Sequence, residues 1–231
     1  MIEYLDKIDK ILLLILNGNG DPYWDKFMWI YTGRFVWLPL LLTFLIYIYK
    51  KGWKEGTFML LTIALVILLC DQISSSFFKP FFERPRPSRQ EELDYVLNIV
   101  NGYRGGKFGF ISSHAANSFG FAVFTSLIIR KRLYTISFIV WAMLTSYSRV
   151  YLGVHFPGDI LAGAMLGVLI GYLMYQFYEF MRITFGPNIG LTTIYSPYKG
   201  DLPKATLWVL YITYVIMLIF TNQIYPFFLK H

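Results

Sequence analysis

The sequence carries little charge. Asp, Glu, Lys and Arg make up 15% of its 231 residues, against roughly 25% in soluble domains. A water-soluble globule with so few charges could not cover its surface, so composition excludes that class. The single cysteine, Cys70, lies inside an apolar run, which excludes an internal disulfide and a cysteine-rich metal site. His, Cys and carboxylate residues never cluster at metal-ligand spacing, so neither a metal nor another cofactor is expected. The chain has three histidines, of which the terminal His231 is given no role. No basic stripe with interleaved aromatics accompanies the net charge of +7, so the expected partners are anionic headgroups and phosphorylated substrates, not nucleic acid. The N-terminus has no basic leader and no small-residue cleavage site, so no cleavable signal is expected.

What the sequence has in quantity is apolar residues, 56% of the chain, in runs able to cross a hydrocarbon core. Such a crossing takes about 20 helical residues. The pattern predicts an all-α polytopic membrane bundle of about six transmembrane helices. Five spans run over 35–49, 57–78, 112–129, 133–147 and 160–181, and a sixth, 205–224, follows a connection at 185–202 rich in helix-breaking residues. Before them, Ile2, Leu5, Ile8 and Leu12 alternate at helical spacing with Glu3, Asp6, Lys7, Asp9 and Lys10. This reads as an amphipathic helix lying in the interface, ended by 17–22. The whole chain, 1–231, is read as one membrane-embedded domain, with 1–33 as the interfacial helix and lead-in, 57–181 as the catalytic core and 205–224 as an extra C-terminal span.

Six spans put Lys50–Lys54, Arg130–Arg132 and Arg182–Lys204 on one face, and 79–107, 149–159 and both termini on the other. Basic residues balance between the faces once Lys79, Arg86 and Arg149 are set aside. The tight clusters Lys50-Lys51 and Arg130-Lys131-Arg132 make the first face cytoplasmic. The expected location is a bacterial inner membrane, with the chemistry on the periplasmic face.

Chemistry-bearing residues gather on that second face. Lys79 and Arg84-Pro85-Arg86-Pro87 follow one span, Ser112-Ser113-His114 opens the next, and Ser148-Arg149, His155 and Asp159 lie between two more. Phosphate spreads its charge over several oxygens. Arginine binds these in bidentate fashion and lysine as a point charge, so Lys79, Arg86 and Arg149 suit the equatorial oxygens. Ser112 can add a hydroxyl, and the backbone N–H groups near Ser113 and His114 open a helix that favours anions. A neutral imidazole held at one nitrogen by an acceptor can attack phosphorus with the other. Asp159 is that acceptor for His155, and His114 can protonate the leaving oxygen and then activate water. The bland alternative for basic residues at span ends is headgroup contact, and Arg84, Arg89, Arg104 and Lys107 are read that way. Asp71, inside a span, reads as a supporting or bundle contact. Gly163, Gly167 and Gly171 form a ladder for close helix packing, within the bundle or in a homodimer.

These residues resemble the three motifs of the type 2 phosphatidate phosphatase family, which includes the vanadium haloperoxidases. Lys-x6-Arg-Pro matches Lys79 with Arg86 and Pro87, and Arg84-Pro85 imitates it at shorter spacing, leaving Arg84 in reserve. Pro-Ser-Gly-His matches at Ser112 and His114 but has Ile111 and Ser113 in place of Pro and Gly. Ser-Arg-x5-His-x3-Asp matches fully at Ser148, Arg149, His155 and Asp159. The resemblance implies a metal-free lipid phosphatase. In it His155 is the nucleophile, Asp159 its orienter, His114 the acid/base, and Lys79, Arg86, Ser112, Ser113 and Arg149 the phosphate pocket. Among phosphorylated lipids the compact chain points first to a polyprenyl pyrophosphate. The alternatives are a lipid A phosphate and a glycerophospholipid phosphate such as phosphatidate or phosphatidylglycerophosphate. A lipid transporter is the reading from another class, and the absence of an inverted repeat weighs against it.

Overall fold

The computed structural model describes residues 2–17, 20–33, 35–191 and 195–229. The terminal His231 and the middle of the expected 185–202 connection lie outside them. The described residues form helices with no β-strand, joined by turns and longer connections, of which 83–112 is the longest. In chain order these are α1 (Ile2–Leu16), α2 (Pro22–Thr32), α3 (Leu38–Tyr49), α4 (Trp53–Gln72), α5 (Lys79–Phe82), α6 (Ser113–Ile129), α7 (Arg132–Tyr151), α8 (Pro157–Ile189) and α9 (Lys204–Ile224). A π-helical stretch over Ile73–Phe78 joins α4 to α5, so 53–82 is one continuous helical segment.

Three segments are long and apolar enough to cross a membrane: Trp53–Phe82, Pro157–Ile189 and Lys204–Phe228. The pair Pro22–Thr32 and Phe35–Tyr49, bent by 67°, qualifies only if taken as one span. The expectation of six counted α6 and α7 as well. Helix α6 is apolar but has 17 residues, about 25 Å of helix and short of a full hydrocarbon core. Helix α7 carries Arg132 and Arg149 at its ends.

Helix α6 lies against α4, α7 and α8, and the glycine ladder sets the closest of these approaches. A β-carbon on Gly163 would stand 2.5 Å from the Ser112 carbonyl oxygen, and one on Gly171 would stand 2.8 Å from that of Gly120. On Gly167 it would collide with the Ala116 carbonyl. The ladder therefore packs α8 on α6 inside the bundle, which leaves it no part in a dimer contact. That approach also brings the start of α8, with Asp159, beside the start of α6, with His114.

The end of α8 and the facing of α1 differ from the sequence expectation. Helix α8 continues past Met181 to Ile189 because Arg182, fully buried, has a partner. Its guanidinium donates to Glu55 of α4 at 2.7 and 2.9 Å. Helix α1 turns its polar side inward. Asp9 and Leu13 are buried, while Tyr4, Leu5, Leu12 and Ile15 are exposed.

Candidate active site

The first cationic segment leaves α5 through Glu83, whose left-handed backbone (φ 47°) ends that helix. The chain then runs extended alongside 107–109, with Gly109 N–H donating to the Arg84 carbonyl at 2.9 Å and Arg86 N–H to that of Lys107 at 3.3 Å. Alternate residues of an extended segment share a face, so Arg84 and Arg86 both reach the turn before α8.

That turn holds His155 and Asp159. Pro157 occupies the first turn of α8, and Asp159 Oδ2 caps the helix start by accepting from Phe156 N–H at 3.0 Å. The same oxygen lies 3.2 Å from His155 Nδ1. A β-carbon on Gly109 would stand 2.9 Å from it, so glycine is the residue that leaves this carboxylate its room. The second oxygen, Oδ1, accepts from Arg84 at 3.0 Å. On the far side of the imidazole, Nε2 is 2.8 Å from an Arg86 N–H. A donor at Nε2 and a carboxylate at Nδ1 together assign the tautomer with its proton on Nδ1 and a lone pair on Nε2. Burial, then Arg86, Arg149 and Lys79, push the His155 imidazole well below its ordinary pKa. The ring is thus neutral at pH 7.

Around it stand the other expected residues. Lys79 Nζ donates to Ser113 Oγ at 2.8 Å, and Ser74 donates to the same oxygen at 2.7 Å. Arg149 is buried at the last turn of α7, with its guanidinium over the Tyr103 ring. Among the described residues, Arg86 Nε and Arg149 Nε are buried without hydrogen-bond partners, and buried guanidinium nitrogens that lack an acceptor mark a place for an anion. His114 lines a cavity of about 520 Å³ with Arg149, Tyr103 and Trp29. It also lines a second, largely apolar cavity of about 420 Å³ between α3, α4, α6 and α7.

One expected residue is placed differently. Ser112 was read as a phosphate hydroxyl, but it is fully buried and its Oγ caps α6 by accepting from Ala115 N–H at 3.4 Å. Ser113 is the hydroxyl beside Lys79. Arg84, which sequence position alone assigns to headgroups, lies inside the site. It is bound by Asp159, by Asp9 at 2.8 Å and by Asp6 at 3.0 Å, and it covers the Phe156 ring at 4.1 Å. Asp9 also accepts from Gly158 N–H in the first turn of α8, at 2.7 Å. The motif's spacing tolerance was the one signal for Arg84; its carboxylate partners on α1 come from far away in the chain. Among the described residues, no three His, Cys, Asp or Glu side chains are grouped to hold a metal ion.

The PAP2 superfamily model matches residues 56–182. The chain is 46% identical over 177 residues to a lipid A 4'-phosphatase of Bacteroides thetaiotaomicron, covering 76% of this chain and 79% of that one. It is 42% identical over 185 residues to a lipid A 4'-phosphatase of Porphyromonas gingivalis, covering 78% and 77%. Among solved structures, a transmembrane PAP2-type phosphatidylglycerolphosphate phosphatase from Bacillus subtilis superposes with a TM-score of 0.57 at 25% identity, covering 77% of this chain and 88% of that one.

Proposed function

This chain belongs to the PAP2 superfamily, a multi-pass membrane lipid phosphatase, and on that premise we propose that it removes a phosphate monoester from lipid A through a phospho-histidine on His155. The polyprenyl pyrophosphate favoured by sequence gives way here to its alternative, because two relatives above 40% identity carry the lipid A activity in their names.

The observation that carries the mechanism is the setting of His155, with Nδ1 on Asp159 and Nε2 directed at Arg86. Phosphate entering between Nε2 and the guanidinium groups meets a neutral nucleophile and three cations. Nε2 attacks phosphorus, the P–O bond to the lipid breaks, and His114 gives its proton to the leaving oxygen. In the free site Arg149 and burial hold the His114 imidazole well below its ordinary pKa. The bound phosphate dianion offsets the surrounding cations and lets it carry that proton. Neutral His114 then takes a proton from water, whose oxygen attacks phosphorus, and the P–N bond breaks to release phosphate. Lys79, Arg86, Arg149 and the N-terminus of α6 balance the charge that builds on the equatorial oxygens. Arg84 is a positioning residue that occupies Asp159 Oδ1 and leaves Oδ2 to the imidazole.

The test is release of inorganic phosphate by the detergent-solubilised protein from lipid A, undecaprenyl pyrophosphate and phosphatidylglycerophosphate. Lipid A is expected to be turned over fastest, with no loss in EDTA. Loss in EDTA that a defined divalent ion restores contradicts the metal-free route, and failure to release phosphate from lipid A contradicts the substrate.

We also propose that the site faces the periplasm of the inner membrane. Cys70 is fully buried and is the single thiol, so a Cys70→Ser background is silent to labelling. In it, a membrane-impermeant maleimide applied to spheroplasts should label Tyr95→Cys, on the exposed loop before α6, and spare Lys131→Cys. The reverse pattern places the chemistry in the cytoplasmic leaflet.

A further inference from the structure

The apolar cavity of about 420 Å³ is lined in part by His114 and Ser113, which sets it beside the proposed reaction centre. Apolar side chains, Trp37, Leu40, Phe44, Ile63 and Phe121 among them, line it together with one ionisable carboxylate, Asp71. Asp71 sits on α4 one turn before Ser74. Its backbone carbonyl accepts from the Ser74 and Ser75 hydroxyls at 3.1 and 2.6 Å. Among the described residues, its side chain has neither an ion pair nor a hydrogen bond. Asn117, one turn after His114 on α6, lines the same cavity, and among the described residues its buried Oδ1 has no partner. Polar groups at membrane depth with no partner are costly and mark ligand paths.

We infer that Asp71, with Asn117 lining the same cavity, receives a hydrogen-bond donor carried by the leaving group and so selects a phosphomonoester of an acylated amino sugar over a prenyl pyrophosphate. This rests on the lipid phosphatase reading above, in which His114 protonates the leaving oxygen. A sugar leaving group brings amide N–H and hydroxyl groups within a few bonds of that oxygen, and they satisfy the carboxylate. A prenyl pyrophosphate brings its second phosphate to the same place. It offers no donor, and it sets its negative charge against the Asp71 carboxylate. Discrimination then arises both from a rewarded donor and from a penalised anion.

The experiment compares kcat/KM for lipid A and for undecaprenyl pyrophosphate in wild type, Asp71→Ala and Asp71→Asn, each pair of substrates on one preparation. The ratio cancels the amount of folded enzyme, so partial misfolding does not affect the result. In Asp71→Ala the ratio is expected to move toward the pyrophosphate by about 10- to 100-fold, the usual cost of a lost hydrogen bond to a charged group. Asp71→Asn keeps the shape and removes the charge, and is expected to raise turnover of the pyrophosphate while lowering that of lipid A less than alanine does. A ratio unchanged in both variants, or moved toward lipid A, overturns the inference. His155→Ala serves as the reference: if it still releases phosphate, the underlying reading has failed. If it is inactive and the ratio is unmoved by Asp71, the selection alone has failed.

Discussion

His155→Ala is expected to lower kcat/KM for phosphate release by at least about 10⁴-fold, because no other side chain can take over a nucleophile's covalent role. The bundle should remain intact, since the α6–α8 packing rests on the glycine ladder and not on the imidazole. The pH profile of the unmutated enzyme carries the same argument. Buried among Arg86, Arg149 and Lys79, the ring is held neutral well below its ordinary value of 6.5. As pH falls, the nucleophile is lost only when it passes this lowered pKa. The His155 contribution to the acid limb of kcat/KM, which reports the free enzyme, should therefore lie below the ordinary imidazole range. A limb from His155 at or above pH 6.5 would mean that the cations do not surround it.

Arg86→Ala is the second large effect, with an expected loss of about 10³-fold in kcat, the scale of removing an arginine from a phosphoryl-transfer site. Arg86 faces Nε2 directly and is buried, so its charge acts with little screening. Arg86→Lys should recover only part of the loss, because a point charge cannot bridge the histidine side and the phosphate oxygens as a planar fork does. Steady-state kinetics on a micellar lipid check both variants. Equal activity in Arg86→Lys and wild type would show that charge alone is needed there.

Much of this site was legible in the sequence because its motifs lie at helix ends, where spacing along the chain fixes geometry. The five-residue interval from Arg149 to His155 is the turn between α7 and α8, and the interval from His155 to Asp159 is the first turn of α8. The Lys79-to-Arg86 interval is less regular, but α5 and the extended segment after it still return both cations to one place. Arg84 was less legible because its meaning depends on α1, whose Asp6 and Asp9 lie some 75 residues away in sequence. A periodicity reading assigns the polar face of an amphipathic helix to water, whereas here that face binds Arg84 and the first turn of α8. The motif match puts Ser112 at the serine position and Ser113 at the glycine position, but a one-residue step at a helix start separates a capping side chain from one facing the site, and here Ser113 is the one beside Lys79. The extension of α8 was hidden for a similar reason: Arg182 reads as a span end until Glu55, buried on α4, neutralises it.

The central claim is a covalent phospho-histidine at His155, and trapping it is the most direct test. His114 serves both the formation and the hydrolysis of the intermediate, so the trap uses the unmutated enzyme, quenched within its first turnovers, with His155→Ala as the unlabelled control. Brief incubation with ³²P-labelled lipid A followed by denaturation at alkaline pH, where phospho-histidine survives, should leave label on the protein. Mild acid should release it, and peptide mapping should place it on the fragment bearing His155. Label that resists acid, label mapped to another residue, or an unlabelled protein that still turns over lipid A would contradict the account.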